Sequence, residues 1–333
     1  MTPDGGKNER GRSVAAVNAA DESVTAENVA TDNVATENMA AENVVAENAS
    51  AEAAVAEIVI GNVERFSGFE DEYDRSRPAA PRLVIEILTK HLGKRPFVVV
   101  DLGCGTGLSS FVWLEHADRI IGVEPNADMI GKAQDKLRRL GNTDRLSFVQ
   151  GYSNQLDLEG ESADILTCSQ SFHWMEPRST LKEAARVLRK GGIFAAYDCD
   201  WPPTVHWEIE DQYTRLMDRV EAITATLPGP KSTVTKDTVK KWRKEDHLKN
   251  MSESGVFRFT REVVFHDRKP CDADRYIGLA LSQGGLQAIH KSGPAFAAVL
   301  NEDIAAFRER VEKFFRGATL DILFSYRMRF GVK

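Results

Sequence analysis

The sequence predicts an α/β fold: a seven-stranded, mostly parallel sheet with helices on both faces. Three observations predict it. Short apolar, β-branched segments alternate with helical ones from about residue 97 to residue 198. The run Val99-Val-Asp-Leu-Gly-Cys-Gly-Thr-Gly107 passes from a strand straight into a glycine-rich turn. Two late segments, Phe257–His266 and Ile322–Phe330, alternate in polarity as strands do.

Taken in order, Phe97–Leu102 is a continuous apolar run and reads as a buried parallel strand. Glycines at 103, 105 and 107 let the backbone turn sharply and let a ligand approach its amides. Leu108–His116 is predicted to follow as a helix, with free N–H groups and a partial positive charge at its start. Arg119–Glu124 is a second strand. It ends in a carboxylate 17 residues after Gly107, placed to accept both hydroxyls of a ribose. Asn126 can cap a helix that runs to Leu140 and stops at Gly141. Leu146–Gln150 and Ala163–Ser169 are the third and fourth strands. A helix over Ser179–Arg189, stopped by Gly191-Gly192, leads to a fifth strand, Ile193–Asp198. Asp272–Gln283 and Ala295–Phe315 read as helices between the two late strands. Ahead of the first strand, Phe69, Tyr73 and Arg77 share one helical face, and Pro81 fits the first turn of a helix running to about His91.

The glycine loop discriminates between nucleotides. Leu108 stands where a dinucleotide fingerprint needs its third small residue, and no Lys is present to make a P-loop. Asp101 would repel a pyrophosphate. It suits a ligand with a cationic amino-acid end, a ribose and an adenine, which describes S-adenosylmethionine. On Val100-Asp-Leu-Gly-Cys-Gly-Thr-Gly107 the chain resembles the class I S-adenosylmethionine-dependent methyltransferases, of the methyltransferase type 11-like kind, over about residues 60–330.

The resemblance implies a Rossmann-like sheet closed by an antiparallel edge strand, in a domain spanning 59–333. Insertions at 200–256 and 267–318 would form a helical substrate cap. It implies S-adenosylmethionine as cofactor and direct in-line transfer of its methyl to a small-molecule acceptor. Asp101, Gly103, Gly105, Gly107 and Glu124 would hold the cofactor. Tyr73 and Arg77 belong to a Phe-x3-Tyr-x3-Arg-Pro segment that lids it in relatives. Ser153 lies in a loop that frames the adenine, although Tyr152 stands where the family commonly has an acid. Ser169 ends the fourth strand and would also border the cofactor. His173-Trp174 recurs in small-molecule relatives similar to trans-aconitate methyltransferase. These two residues are the catalytic candidates: His173 could orient the acceptor or take its proton, and Trp174 could wall the site against water. No metal is implied, because the sulfonium is already activated.

Composition limits the other classes. Of the net charge of −7, residues 1–60 carry −8, so the remainder is near neutral and lacks the footprint of a nucleic-acid binder. The basic stretch Lys231–Lys249 reads as a solvated helix face. Residues 1–58 repeat every five residues (Val-Ala-Thr-Glu-Asn and variants), a period that builds no apolar face on a helix or a strand. They are predicted to form a disordered acidic tail. Four unpaired cysteines, no apolar run behind Met1–Arg12 and none of membrane-spanning length predict a cytoplasmic protein with no membrane partner. Two rival functions remain open: a non-catalytic S-adenosylmethionine-binding or interaction protein, and an NAD-dependent oxidoreductase. The oligomeric state is not set by the sequence.

Overall fold

A computed structural model describes residues 62–333 except 64–65, 142 and 228–239. The acidic repeat of residues 1–58 and part of the basic stretch lie outside the described residues. Those described belong to one compact unit, Val55–Lys333.

The chain enters through helix α1 (Glu70–Ser76) and helix α2 (Arg82–Leu92), with Pro81 as N-cap and Gly93 in the left-handed conformation as C-cap. Strands β1 (Val98–Leu102) and β2 (Arg119–Glu124) follow, then helix α3 (Ala127–Arg139) and strands β3 (Leu146–Gln150) and β4 (Ala163–Ser169). Asn126 caps α3 as expected, accepting from the N–H groups of Asp128 and Met129. Helix α4 (Pro177–Val187) leads into β5 (Leu188–Cys199). Helices α5 (Trp207–Thr226) and α6 (His247–Glu253) precede β6 (Phe259–Cys271). Helices α7 (Ala273–Leu281), α8 (Gly284–Lys291), α9 (Pro294–Ala298) and α10 (Asn301–Phe315) lead to β7 (Leu320–Val332).

The sheet order is β3-β2-β1-β4-β5-β7-β6. The first five strands pair in parallel, and β7 runs antiparallel to both of its neighbours. Alternate residues of each strand feed opposite faces. Val99, Ile165 and Ile193 join one apolar cluster, whereas Val98, Val100, Leu166 and Phe194 join another. A third cluster, centred on Val220, Leu286 and Ile289, ties α5 to α8.

Three local expectations fail for physical reasons. Leu108–His116 is no α-helix but a run of turns around a short 3-10 helix, Phe111–Trp113, because Ser109 and Ser110 turn their hydroxyls inward to Asp101. Gly191 and Gly192 do not stop α4. They lie in the irregular start of β5, where the pairing with β4 shifts between Ala163 and Ile165. The single helix expected over Ala295–Phe315 is two, broken at Val299-Leu300. All four cysteines are buried and free. No helix among the described residues is long and apolar enough to cross a membrane.

Candidate active site

The strand order reverses between β1 and β4, so their carboxyl ends diverge and leave the crevice where open α/β sheets bind ligands. A cavity sits there. It encloses about 840 Å³ of space, part of it open to solvent. Gly103 and Gly105 form its floor, Glu124 its β2 wall, Tyr152 and Ser153 a third side, and Phe66 and Trp174 a fourth. Among the described residues its lining contains two carboxylates, Glu124 and Glu176, and no lysine or arginine.

Glu124 is 8% exposed. Its Oε2 accepts from the Gly105 N–H at 2.8 Å and its Oε1 from the Asn126 N–H at 2.9 Å. Burial pushes its carboxyl up to about 7, and these two hydrogen bonds offset only part of that rise. Gly105 has φ +53°, and a Cβ there would meet no protein atom within 4 Å. Its missing side chain therefore leaves room beside Glu124 for something other than protein. Gly103 differs: with φ +64°, a Cβ would come within 2.7 Å of the Ser171 Cβ.

Matches to known proteins agree with this geometry. The methyltransferase domain family matches residues 100–196. A Saccharomyces cerevisiae protein named as a probable S-adenosylmethionine-dependent methyltransferase is 30% identical over 125 residues, 37% of this chain and 43% of that protein. An uncharacterized methyltransferase of Mycobacterium bovis is 31% identical over 169 residues, 50% of this chain and 65% of that protein. The chain thus spans less than two thirds of the length of these relatives. A solved structure named for a type II methyltransferase, from Anaeromyxobacter dehalogenans, shares the fold at a TM-score of 0.50 and 20% identity, over 77% of this chain and 97% of that one.

These matches and the sheet order support a class I S-adenosylmethionine-dependent methyltransferase. The cofactor these matches support is S-adenosylmethionine. The site fits that group. A buried carboxylate with no cationic partner among the described residues faces the cavity and retains acceptor capacity for hydroxyl donors. Among the described residues the lining is acidic and base-free, which suits a cationic ligand and disfavours a pyrophosphate.

The sequence-derived residues divide into two groups. Tyr73, Gly103, Gly105, Glu124, Ser153, Ser169 and Trp174 meet at the cavity. Asp101, Gly107, Arg77 and His173 are not among its lining residues. Asp101 is fully buried, and three hydroxyls occupy it: Ser109 at 2.6 Å and Ser110 at 2.7 Å on Oδ2, and Thr167 at 2.9 Å on Oδ1. The carboxylate expected to meet the cofactor's amino end instead ties the glycine loop to β4. Gly107 packs against the rings of Phe111 and Phe148. The Arg77 guanidinium donates to Ser282 and lies against Tyr73 and Trp201. Its distance from the cavity follows from its place at the C-cap of α1, one turn beyond Tyr73.

His173 and Trp174 are adjacent in sequence, yet only Trp174 reaches the cavity. The His173 ring turns to Asp198 of β5, with Nδ1 3.4 Å from Oδ1. Burial, reinforced by Lys244, holds His173 down at about 4 despite the pull of Asp198. It is therefore neutral at physiological pH. Trp174 packs edge-on against Phe66, with ring centroids 5.6 Å apart.

Three contributors escaped the sequence reading. Asn62 donates to the carbonyls of Trp174 and Lys240 and accepts from the Lys240 N–H, so it ties three distant segments together over the cavity. It carries no local pattern that would mark it. Glu176 lines the cavity and caps α4, a role that Pro177 at the next position signals. Asp198 lies near the carboxyl end of β5, where an acid invites attention, but its partners come from distant segments: His173, Lys244, His247 and Arg329.

Proposed function

We propose that this protein transfers a methyl group from S-adenosylmethionine to a small-molecule acceptor. The observation that carries the reading is the cavity at the β1/β4 divergence, lined by Glu124 and Glu176 and, among the described residues, by no base. Bound S-adenosylmethionine supplies a methyl already activated on a cationic sulfur. What remains for the chain is to bind, orient and exclude water.

Glu124 accepts the ribose hydroxyls. Gly103 and Gly105 let the backbone approach the amino-acid end. Ser153 and the neighbouring backbone border the adenine, and Tyr73 and Ser169 complete the walls. Trp174 and Phe66 form the apolar side that keeps water from the reacting carbon. His173 acts on the acceptor side through the position of Trp174. Asp101 and Gly107 serve the cofactor by fixing the loop, and Arg77 by holding α1 against Ser282. Residues 59–333 form the catalytic domain, with 200–256 and 267–318 as the substrate cap. The protein works in the cytoplasm, and its acceptor branch is similar to that of trans-aconitate methyltransferase.

The test incubates the full chain with methyl-labelled S-adenosylmethionine and a fractionated metabolite extract. Label transferred to a small molecule, and lost with Glu124→Ala, is the expected result. Cofactor binding with no transfer to any fraction would contradict it.

A further inference from the structure

Behind the Trp174 loop lies a second cluster of chemistry-bearing groups, outside the cavity. His173, Asp198 of β5 and His247 at the start of α6 are all buried, with His247 completely enclosed. One donor atom from each lies within 4.8 Å of the other two. Among the described residues neither ring nitrogen of His247 has a hydrogen-bond partner, and His173 Nδ1 has only the long approach to Asp198 Oδ1 at 3.4 Å. Leaving a buried polar atom unpaired costs about 1–3 kcal/mol each. Two of these atoms, His173 Nδ1 and His247 Nε2, turn to one carboxylate, at 3.4 Å and 4.0 Å from the Asp198 oxygens. The fold spends structure on the arrangement, since the Trp242 N–H donates to the His173 carbonyl and fixes the segment that delivers His247.

We propose that His173, Asp198 and His247 bind a divalent transition-metal ion of the zinc type. Two imidazoles and a carboxylate are the nitrogen and oxygen donors such ions take. Bonds of about 2.0–2.2 Å bring donors to about 3.3–3.6 Å apart. His173 Nδ1 and Asp198 Oδ1 are already 3.4 Å apart, and His247 Nε2 and Asp198 Oδ2 are 4.0 Å apart. With one donor atom from each residue the three lie within 4.8 Å of one another, so the ion draws them inward by about 1 Å.

Two cations already face Asp198. Arg329 lies 3.7 Å from Oδ2, but Glu262 neutralises it at 2.7 Å. The Lys244 ammonium sits 2.8 Å from Oδ1. Its side chain is 25% exposed, so it can swing to solvent. Lys244 stands in for the ion and yields its place when the ion arrives. Bound there, the ion joins the loop that carries Trp174 to β5 and α6. The inference does not depend on the methyl-transfer reading.

Untagged, chelator-treated protein is titrated with Zn2+ by calorimetry and with Co2+ by visible absorption. One ion per chain is expected, with a raised melting temperature and Co2+ bands of imidazole ligation. His247→Leu should weaken Zn2+ binding at least 100-fold while the metal-free melt survives. Lys244→Gln removes the competitor and should tighten binding several-fold. Should His247→Leu fail to fold, the His173 and His247 ring signals of wild-type protein, followed by NMR as Co2+ is added, give the same answer. Absence of binding, binding indifferent to His247→Leu, or ring signals unmoved by Co2+ would each overturn the proposal.

Discussion

Asp101 and Glu124 hold equivalent positions, each at or near the carboxyl end of a central parallel strand beside the same glycine loop. Their surroundings are opposite. Asp101 is sealed by three side-chain hydroxyls, and Glu124 meets only two backbone N–H groups and faces the cavity. Burial raises the carboxyl pKa of both. At Asp101 the protein itself answers the charge, so the group contributes to architecture. At Glu124 part of the answer is left to a ligand. A strand-tip acid is therefore read by its donors, not by its place on the strand.

Substitutions can break this contrast. The largest effect is expected at Asp101. Asp101→Ala leaves the hydroxyls of Ser109, Ser110 and Thr167 without their acceptor and opens a space beneath the loop. A stability loss of about 3–5 kcal/mol is expected, on the scale of several orphaned buried groups. Thermal and urea unfolding would show it, and an unchanged midpoint would mean the hydroxyls find other partners. Glu124→Ala should do the reverse, with a melt near wild type and cofactor affinity reduced by about 1.5–3 kcal/mol, the scale of hydrogen bonds to a charged group.

Titration sharpens the same contrast. Glu124 titrates near 7 in the folded protein, against an ordinary 4.5. The folded state holds this proton more tightly than the unfolded chain. Its contribution to stability is therefore greatest below about pH 4.5 and declines as the pH rises toward 7. Ligand hydroxyls favour the ionised form, so S-adenosylhomocysteine affinity should rise as the pH passes through 7. Glu124→Gln should flatten both profiles. A wild-type affinity that is level between pH 6 and 8 would place the titrating group elsewhere.

The smallest effect separates the two glycines. Gly105→Ala should cost about 1 kcal/mol of stability from its positive φ alone, because no protein atom opposes the new methyl. It should nonetheless lower cofactor affinity. Gly103→Ala collides with Ser171 and should destabilise the fold more than Gly105→Ala does. Equal effects on stability and affinity at both positions would erase the distinction.

The parallel core was legible because its strands are apolar runs bounded by turn residues, and β2, β3 and β4 begin and end where the pattern places them. Glu124 was legible from its spacing to Gly107. Asp101 was legible as important but not in its role, because its partners include Thr167, which the fold brings from another strand. The turn after β1 was misread as a helix for the same reason, since its serines answer to Asp101 and not to helical periodicity. His173 showed in sequence as a reactive residue, but its orientation depends on Asp198 and on Lys244 and His247 from the cap. Contacts of that kind carry no periodic signal. The break before α10 follows Gly293-Pro294 and the five-residue helix they start, a local feature that amphipathic patterning runs across.

The claim that the Glu124 cavity receives S-adenosylmethionine is tested most directly by calorimetric titration of the wild-type protein and Glu124→Ala with S-adenosylhomocysteine and, separately, NAD. The account predicts one S-adenosylhomocysteine per chain, binding at least tenfold weaker in the variant, and no NAD binding to either protein. NAD binding in the absence of S-adenosylhomocysteine binding, or an S-adenosylhomocysteine dissociation constant unchanged by the loss of Glu124, would contradict it.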